Sequence, residues 1–227
     1  MIITEFIKRF KTKRLYRRLG SIGRNALVEL PCAVSRPAQV FIGDFSQILG
    51  GSNFIIYKGK FTMGKYCIAS SRLTVSTDNH TPTVGLPMMM ACSYHANDRS
   101  AEISVGDDCW LGANVTLING CKINRGGVIG ACSLVNNELP PYAVAVGTPA
   151  RVIGVRFSKE QIMRHEQKMY PAEKRMTSQQ LDRLFVTTYS DVRVMTNAEL
   201  TDDALQRVKA GLERDGLQMP RSSWSEL

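Results

Sequence analysis

Aliphatic side chains recur at every sixth position through the middle of the chain: Val105, Leu111, Leu117, Ile123, Ile129 and Val135. A period of six excludes a helix, because six-residue steps rotate a 3.6-residue helix by about 240° and scatter the apolar positions around it. It predicts short strands separated by regular corners. Four residues after these positions stand Cys109, Val115, Cys121, Gly127 and Ser133, nearly all small enough to sit where a corner narrows. Gly106, Gly112 and Gly130 directly follow three of them, where glycine opens backbone conformations closed to other residues. The register recurs upstream less cleanly, as Ile42, Ile48 and Phe54 and then Met63, Ala69 and Val75, with a small insertion between Phe54 and Met63.

Residues 76–102 abandon the register and carry Pro82, Pro87 and the histidines His80 and His95. This predicts a long loop ejected from the coil, and long loops in compact domains are usually functional. Beyond Ile153 the pattern turns helical, with capping-box signals at Ser158 to Gln161, Thr177 to Gln180 and Thr196 to Glu199. Leu181, Leu184 and Phe185 can share one helix face, and Leu205, Val208 and Leu212 another that ends at Gly216. The expected organisation is an N-terminal helix over 1–24, a coiled domain over 25–155 with its loop, and a helical region over 156–227.

Charge changes the picture at one end only. The net charge is +9, but residues 1–24 hold eight Lys/Arg against Glu5, leaving +2 for the rest. That remainder is spread thinly and lacks the interleaved aromatics that stack single-stranded bases, so a nucleic-acid-binding body is not expected. In the first segment Ile2, Ile3, Phe6, Ile7 and Phe10 can share a helical face, with Lys8, Arg9, Lys11, Lys13, Arg14, Arg17 and Arg18 around it. Such a helix either lies on an anionic membrane surface or caps the open end of the coil. No stretch approaches the ~20 apolar residues of a spanning helix, and the six cysteines form no CxxC pair. A cytoplasmic protein with free thiols, peripheral to the membrane at most, is expected.

The run ISVGDDCWLGANVTLINGCKINRGGVIGACSLV, followed by PPYAVAVGTPARVI, resembles the hexapeptide-repeat acetyltransferases, nearest to those acting on sugars and polysaccharides. The resemblance spans roughly residues 35–157. It implies a mainly β fold, a left-handed parallel β-helix with three hexads per coil, in which Gly112 lies over Gly130 and Ala113 over Ala131. It also implies a homotrimer that uses acetyl-CoA as cosubstrate and no metal. His80, in STDNHTP, takes the place of the general base, with Asp78 as its supporting carboxylate or as a turn cap. Trp110 takes the place of a tryptophan lining the active site. Pantetheine would run past Gly112, Ala113 and Ala131, with Asn136 and Asn137 standing where the family commonly has Thr-Lys. Arg151 keeps the basic position expected near the 3′-phosphate, whereas Gly154 stands where a second basic residue is common.

His95 lies in SYHANDR, which matches no motif of the family, and His165 reads as a solvated helical residue. A zinc carbonic anhydrase on the same scaffold would need three histidines on adjacent coils, which His80, His95 and His165 do not supply. A nucleotidyltransferase would need an N-terminal βαβ domain longer than residues 1–40. The resemblance around His80 and Trp110 implies an O-acetyltransferase acting on a cell-surface polysaccharide or its precursor. N-acetylation of an amino sugar, acetylation of an antibiotic, and a non-catalytic trimeric scaffold remain as alternatives.

Overall fold

The computed structural model describes residues 2–118, 120–196 and 198–217, in two compact units, 1–153 and 154–227. In the first unit the hexads wind into a left-handed parallel β-helix whose strands stack coil upon coil on three faces. The first face carries Ser21–Ile22, Val40–Ile42, Phe61–Met63, Ile103–Val105, Lys122–Ile123 and Glu138–Leu139. Leu27–Val28, Gln47–Ile48, Ile68–Ala69, Trp110–Leu111, Val128–Ile129 and Ala143–Gly147 form the second. The third holds Cys32–Val34, Ser52–Ile55, Thr74–Ser76, Thr116–Ile118 and Leu134–Val135. All six repeat positions from Val105 to Val135 are buried, with Ile48, Phe54, Phe61, Leu73, Leu111 and Leu117 among the most enclosed side chains. Stacking at a spacing of 18 holds where the hexads are unbroken, with Trp110 beside Val128 and Thr116 beside Leu134.

The coil begins earlier than the resemblance suggests: Ile22, Val28 and Val34 are its first inward positions, and Ser21–Ile22 already pairs with Phe41–Ile42. The spacing across the corners from first to second and from second to third face is constant in all coils that have them. Every added residue falls at the corner between the third and first faces. There lie a 3₁₀ turn at Pro37–Gln39, the Tyr57–Lys60 turn, and the whole of the 77–102 loop.

Glycine serves a different purpose here from the one expected. Gly106 and Gly112 do not adopt positive φ; instead a Cβ on Gly106 would meet the Arg125 nitrogen at 2.6 Å, and one on Gly112 the Ala131 nitrogen at 2.6 Å. The next coil passes too close for a side chain. The left-handed conformation falls two residues later, on Asp108 (φ 57°) and Asn114 (φ 57°). Gly106→Ala is expected to destabilise the coil by about 1–3 kcal/mol through overpacking. Gly211→Ala, in a helix with nothing nearer than 4.0 Å, is expected to stabilise by about 0.5–1 kcal/mol. Thermal melts of opposite sign check this pair; a Gly106→Ala protein melting with the wild type sinks the close-approach argument.

Helix α1 (Ile2–Tyr16) precedes the coil, and its last turn closes the open end. Leu15, Tyr16 and Leu19 pack on the core, and the Val28 amide donates to the Tyr16 hydroxyl at 2.9 Å. Ile7 and Phe10 remain exposed; the side chains of Ile2, Ile3, Phe6 and Lys8 lie outside the described residues. Among the described residues no helix is long and apolar enough to cross a membrane. All six cysteines are unpaired, and burial pushes the Cys121 thiol up to about 12 and Cys32 up to about 11.

In the second unit, α3 (Lys159–Met169) and α4 (Ser178–Thr187) start on the two expected capping boxes at Ser158 and Thr177. The third does not form. Glu199 is drawn to Arg164 at 2.5 Å and Gln161 at 3.2 Å, and α5 (Asp202–Arg214) starts instead on Thr201, whose hydroxyl accepts from the Ala204 amide. His165 is not simply solvated: it is half-buried, 5.2 Å from the Phe157 ring. The short helix α2 (Met88–Ser93) belongs to the ejected loop of the first unit, where Met88–Met90 and Tyr94 are exposed.

Candidate active site

The neck of the loop is an antiparallel pair, Asp78 opposite Ser100 and Asn79 opposite Arg99. The next step of the same register sets His80 opposite Asp98. The two side chains meet there, with His80 Nδ1 2.9 Å from Asp98 Oδ2, and His95 Nδ1 reaches the same oxygen at 2.8 Å. A carboxylate only accepts, so each imidazole donates through Nδ1. That leaves Nε2 of His80 carrying a lone pair on a side chain 48% exposed, while Asp98 beneath it is 3% exposed. The hydrogen bond from His95, and then that from His80, hold the Asp98 carboxyl below the usual carboxylate range. Its folded state thus favours the carboxylate, and the stability this adds is lost as pH falls through the lowered value.

The histidine pair continues down the insertion corner. His95 stacks on Tyr57 at 4.1 Å between ring centroids, and the Arg36 guanidinium lies 5.1 Å from the Tyr57 ring. The three insertions together build a ladder, from Arg36 in the first through Tyr57 in the second to His95, Asp98 and His80 in the third. His95 has φ 52°, a conformation fixed by the turn that follows α2.

Asp78 does not touch His80 in this arrangement. Its carboxylate accepts from the amides of Tyr57 at 2.7 Å and Lys58 at 3.1 Å and from the hydroxyls of Thr77 and Ser100. Burial pushes its carboxyl up, but the hydrogen bonds from Ser100, Thr77, Tyr57 and Lys58 outweigh this and leave it lowered. It ties the loop neck to the turn of the previous coil. The carboxylate partner of His80 is Asp98, which no motif marked and which only the hairpin register could have exposed.

Trp110 points outward from the second face, 54% exposed, between Ile68 and Val128. Gly112 and Ala113 begin the corner between second and third faces and lie over Gly130 and Ala131, as expected. The Gly112 amide donates to Ile129 O at 2.8 Å, so this group is spent between coils and Gly112 contributes only its lack of bulk. Ala131, Asn136, Asn137 and Arg151 are exposed. The Arg151 guanidinium reaches the neighbouring Ala150 carbonyl at 3.0 Å. His80 leaves from the corner between third and first faces, whereas Trp110 and the small-residue corner lie on the second face and its far edge. Within one chain the two halves of the candidate site are a full face apart.

Residues 102–137 match the bacterial transferase hexapeptide (six repeats) family. WcaF of Escherichia coli K12, named as a colanic acid biosynthesis acetyltransferase, is 29% identical over 148 residues, 64% of this chain and 75% of that protein. The galactoside O-acetyltransferase of the same organism is 30% identical over 135 residues, 59% of this chain and 63% of that one. In fold, the chain is similar to a hexapeptide-repeat acetyltransferase from Vibrio cholerae, with a TM-score of 0.58 and 22% identity over 65% of this chain and 80% of that structure. Strict hexads, three stacked faces and likeness to acetyltransferases along most of the coil together identify residues 102–137 as bacterial transferase hexapeptide repeats and make the chain a relative of the hexapeptide-repeat acetyltransferases.

Proposed function

We propose that the protein is an acetyl-CoA-dependent O-acetyltransferase acting on a hydroxyl of a cell-surface polysaccharide or its precursor, with His80 as general base. The observation that carries this is the His80–Asp98 contact, which fixes the ring with its Nε2 lone pair outward. The acceptor O–H gives its proton to Nε2 as its oxygen attacks the thioester carbon. The tetrahedral intermediate then expels the coenzyme A thiolate, which takes the proton back from the imidazolium. No acyl-enzyme is formed.

The coenzyme would follow the corner at Ala113 and Ala131, where small exposed side chains leave room, towards Asn136, Asn137 and Arg151. Since that corner and His80 lie a face apart, one chain supplies the base and a neighbour the track, in a homotrimer with three sites between subunits. Leu27, Ile68 and Trp110, which stand in one outward column of the second face and are each more than a third exposed, suit burial between copies. The acceptor is sought by offering sugars, polysaccharide fragments, amino sugars and antibiotics with acetyl-CoA. Acetyl esters on a polysaccharide or its precursor support this reading, and turnover confined to amines or antibiotics replaces it with the alternatives.

We also propose a cytoplasmic location in which the basic helix α1 touches anionic lipid. Its last turn is occupied by the coil, yet Ile7, Phe10, Arg9, Lys11, Lys13 and Arg14 are exposed. Each basic residue near such a surface contributes about 1 kcal/mol. The full chain is expected to co-sediment with anionic vesicles at low salt and to be released at high salt. Protein that stays in the supernatant, with a lowered melting temperature after deletion of residues 1–20, leaves α1 as a cap alone.

A further inference from the structure

We propose that His80, His95 and Asp98 form a three-ligand site for a divalent transition-metal ion of the zinc class. One ring nitrogen of each histidine and one oxygen of Asp98 lie within 4.8 Å of one another, and Nδ1 of both histidines contacts Asp98 Oδ2. In a tetrahedral site with bonds of about 2.0–2.2 Å, ligand atoms stand about 3.3 Å apart. The present histidine to aspartate distances are 2.9 and 2.8 Å, so each contact needs to open by only about half an ångström to admit the ion. Two imidazoles and a carboxylate are the donor set that such ions take in open sites, with a fourth position left to solvent or ligand. Here that position faces outward, because both histidine side chains are about a third to a half exposed.

A second observation points the same way. Asp98 is nearly enclosed, and its other oxygen, Oδ1, is buried without a hydrogen-bond partner. A dication would give this buried oxygen the partner it lacks. The ligands are also held in place beforehand. His95 is stacked on Tyr57 and His80 sits at the end of the loop neck, so an ion here would clamp the two rims of the loop together.

Metal at this site has a chemical consequence that rests on the proposed role of His80. Binding takes the Nδ1 lone pair, which requires the proton now on Nδ1 to leave through solvent and Nε2 to become the protonated nitrogen. His80 then presents an N–H where the reaction needs a lone pair. Zinc therefore switches the base off without displacing it.

Cobalt(II) titration of the full-length protein tests the site directly. The expected result is one ion per chain, with the absorption of a nitrogen and oxygen site, displaced by zinc. His95→Ala and Asp98→Asn should each weaken binding more than about tenfold, and His165→Ala should leave it unchanged. Both altered residues lie on the ejected loop outside the coil core, and thermal melts confirm that the variants fold. A thiolate-to-cobalt charge-transfer band, no uptake in excess metal, or affinity unmoved in both variants overturns the proposal. Turnover is read separately: saturating zinc that leaves acetyl transfer undiminished removes the switch and the base assignment together, whereas the cobalt spectrum alone decides the site.

Discussion

Replacing His80 with alanine is expected to lower kcat by about 10²–10⁴-fold, the usual contribution of a positioned general base. The coil should be untouched, since His80 lies beyond the last strand of its coil, half-exposed, and contributes nothing to the buried repeat. Asp98→Asn should produce a smaller loss that falls on kcat and leaves KM nearly unmoved. Asparagine keeps the shape of the side chain but offers both a donor and an acceptor, so it no longer forces the hydrogen of His80 onto Nδ1. Asp78→Asn works differently: it weakens the bonds to the Tyr57 and Lys58 amides and should lower the melting temperature of the loop neck. Steady-state kinetics with acetyl-CoA and the identified acceptor separates these cases. A His80→Ala protein retaining more than half the wild-type rate would remove His80 from the mechanism.

The coil was legible in the sequence because its core is periodic, and each hexad places one aliphatic side chain inward whatever surrounds it. Ile22, Val28 and Val34 obey the same spacing and even carry the small residues Ala26 and Cys32 at the corners, but the eight-residue step from Val34 to Ile42 breaks the register after only three hexads, and the first coil passed unnoticed. His80 was legible from its local run and from the place where the register breaks. Asp98 was not, because its relation to His80 is set by antiparallel pairing across the loop, and such pairing leaves no periodic mark on the chain. His95 was discounted for the same reason: its partner Tyr57 belongs to the previous coil, 38 positions earlier in the numbering. The failed capping box at Thr196 is a case of tertiary contact overriding a local motif. Glu199 has better partners in Arg164 and Gln161 than the amide behind it.

Coexpressing two inactive variants should restore about a quarter of the wild-type activity if each site is shared between neighbouring subunits. The two are His80→Ala, which lacks the base, and Ala131→Trp, which blocks the coenzyme track with an outward bulky side chain. Each is expected to be nearly inactive alone. In randomly mixed trimers a given site draws an intact base from one subunit half the time and an intact track from its neighbour half the time. The restored fraction follows from that independence and needs no assumption about cooperativity. The reason to expect it lies in the coil: His80 departs from the corner between third and first faces, while Ala113 and Ala131 stand between second and third. If base and track instead met within one chain, every subunit in the mixture would carry one lesion or the other, and no site would be whole. Mixed oligomers that form, as confirmed by two affinity tags recovered together, and yet remain inactive would rule out the shared site. A mixture with about half the wild-type activity would show that Ala131→Trp never obstructed the track, since only the missing base of His80→Ala would then count.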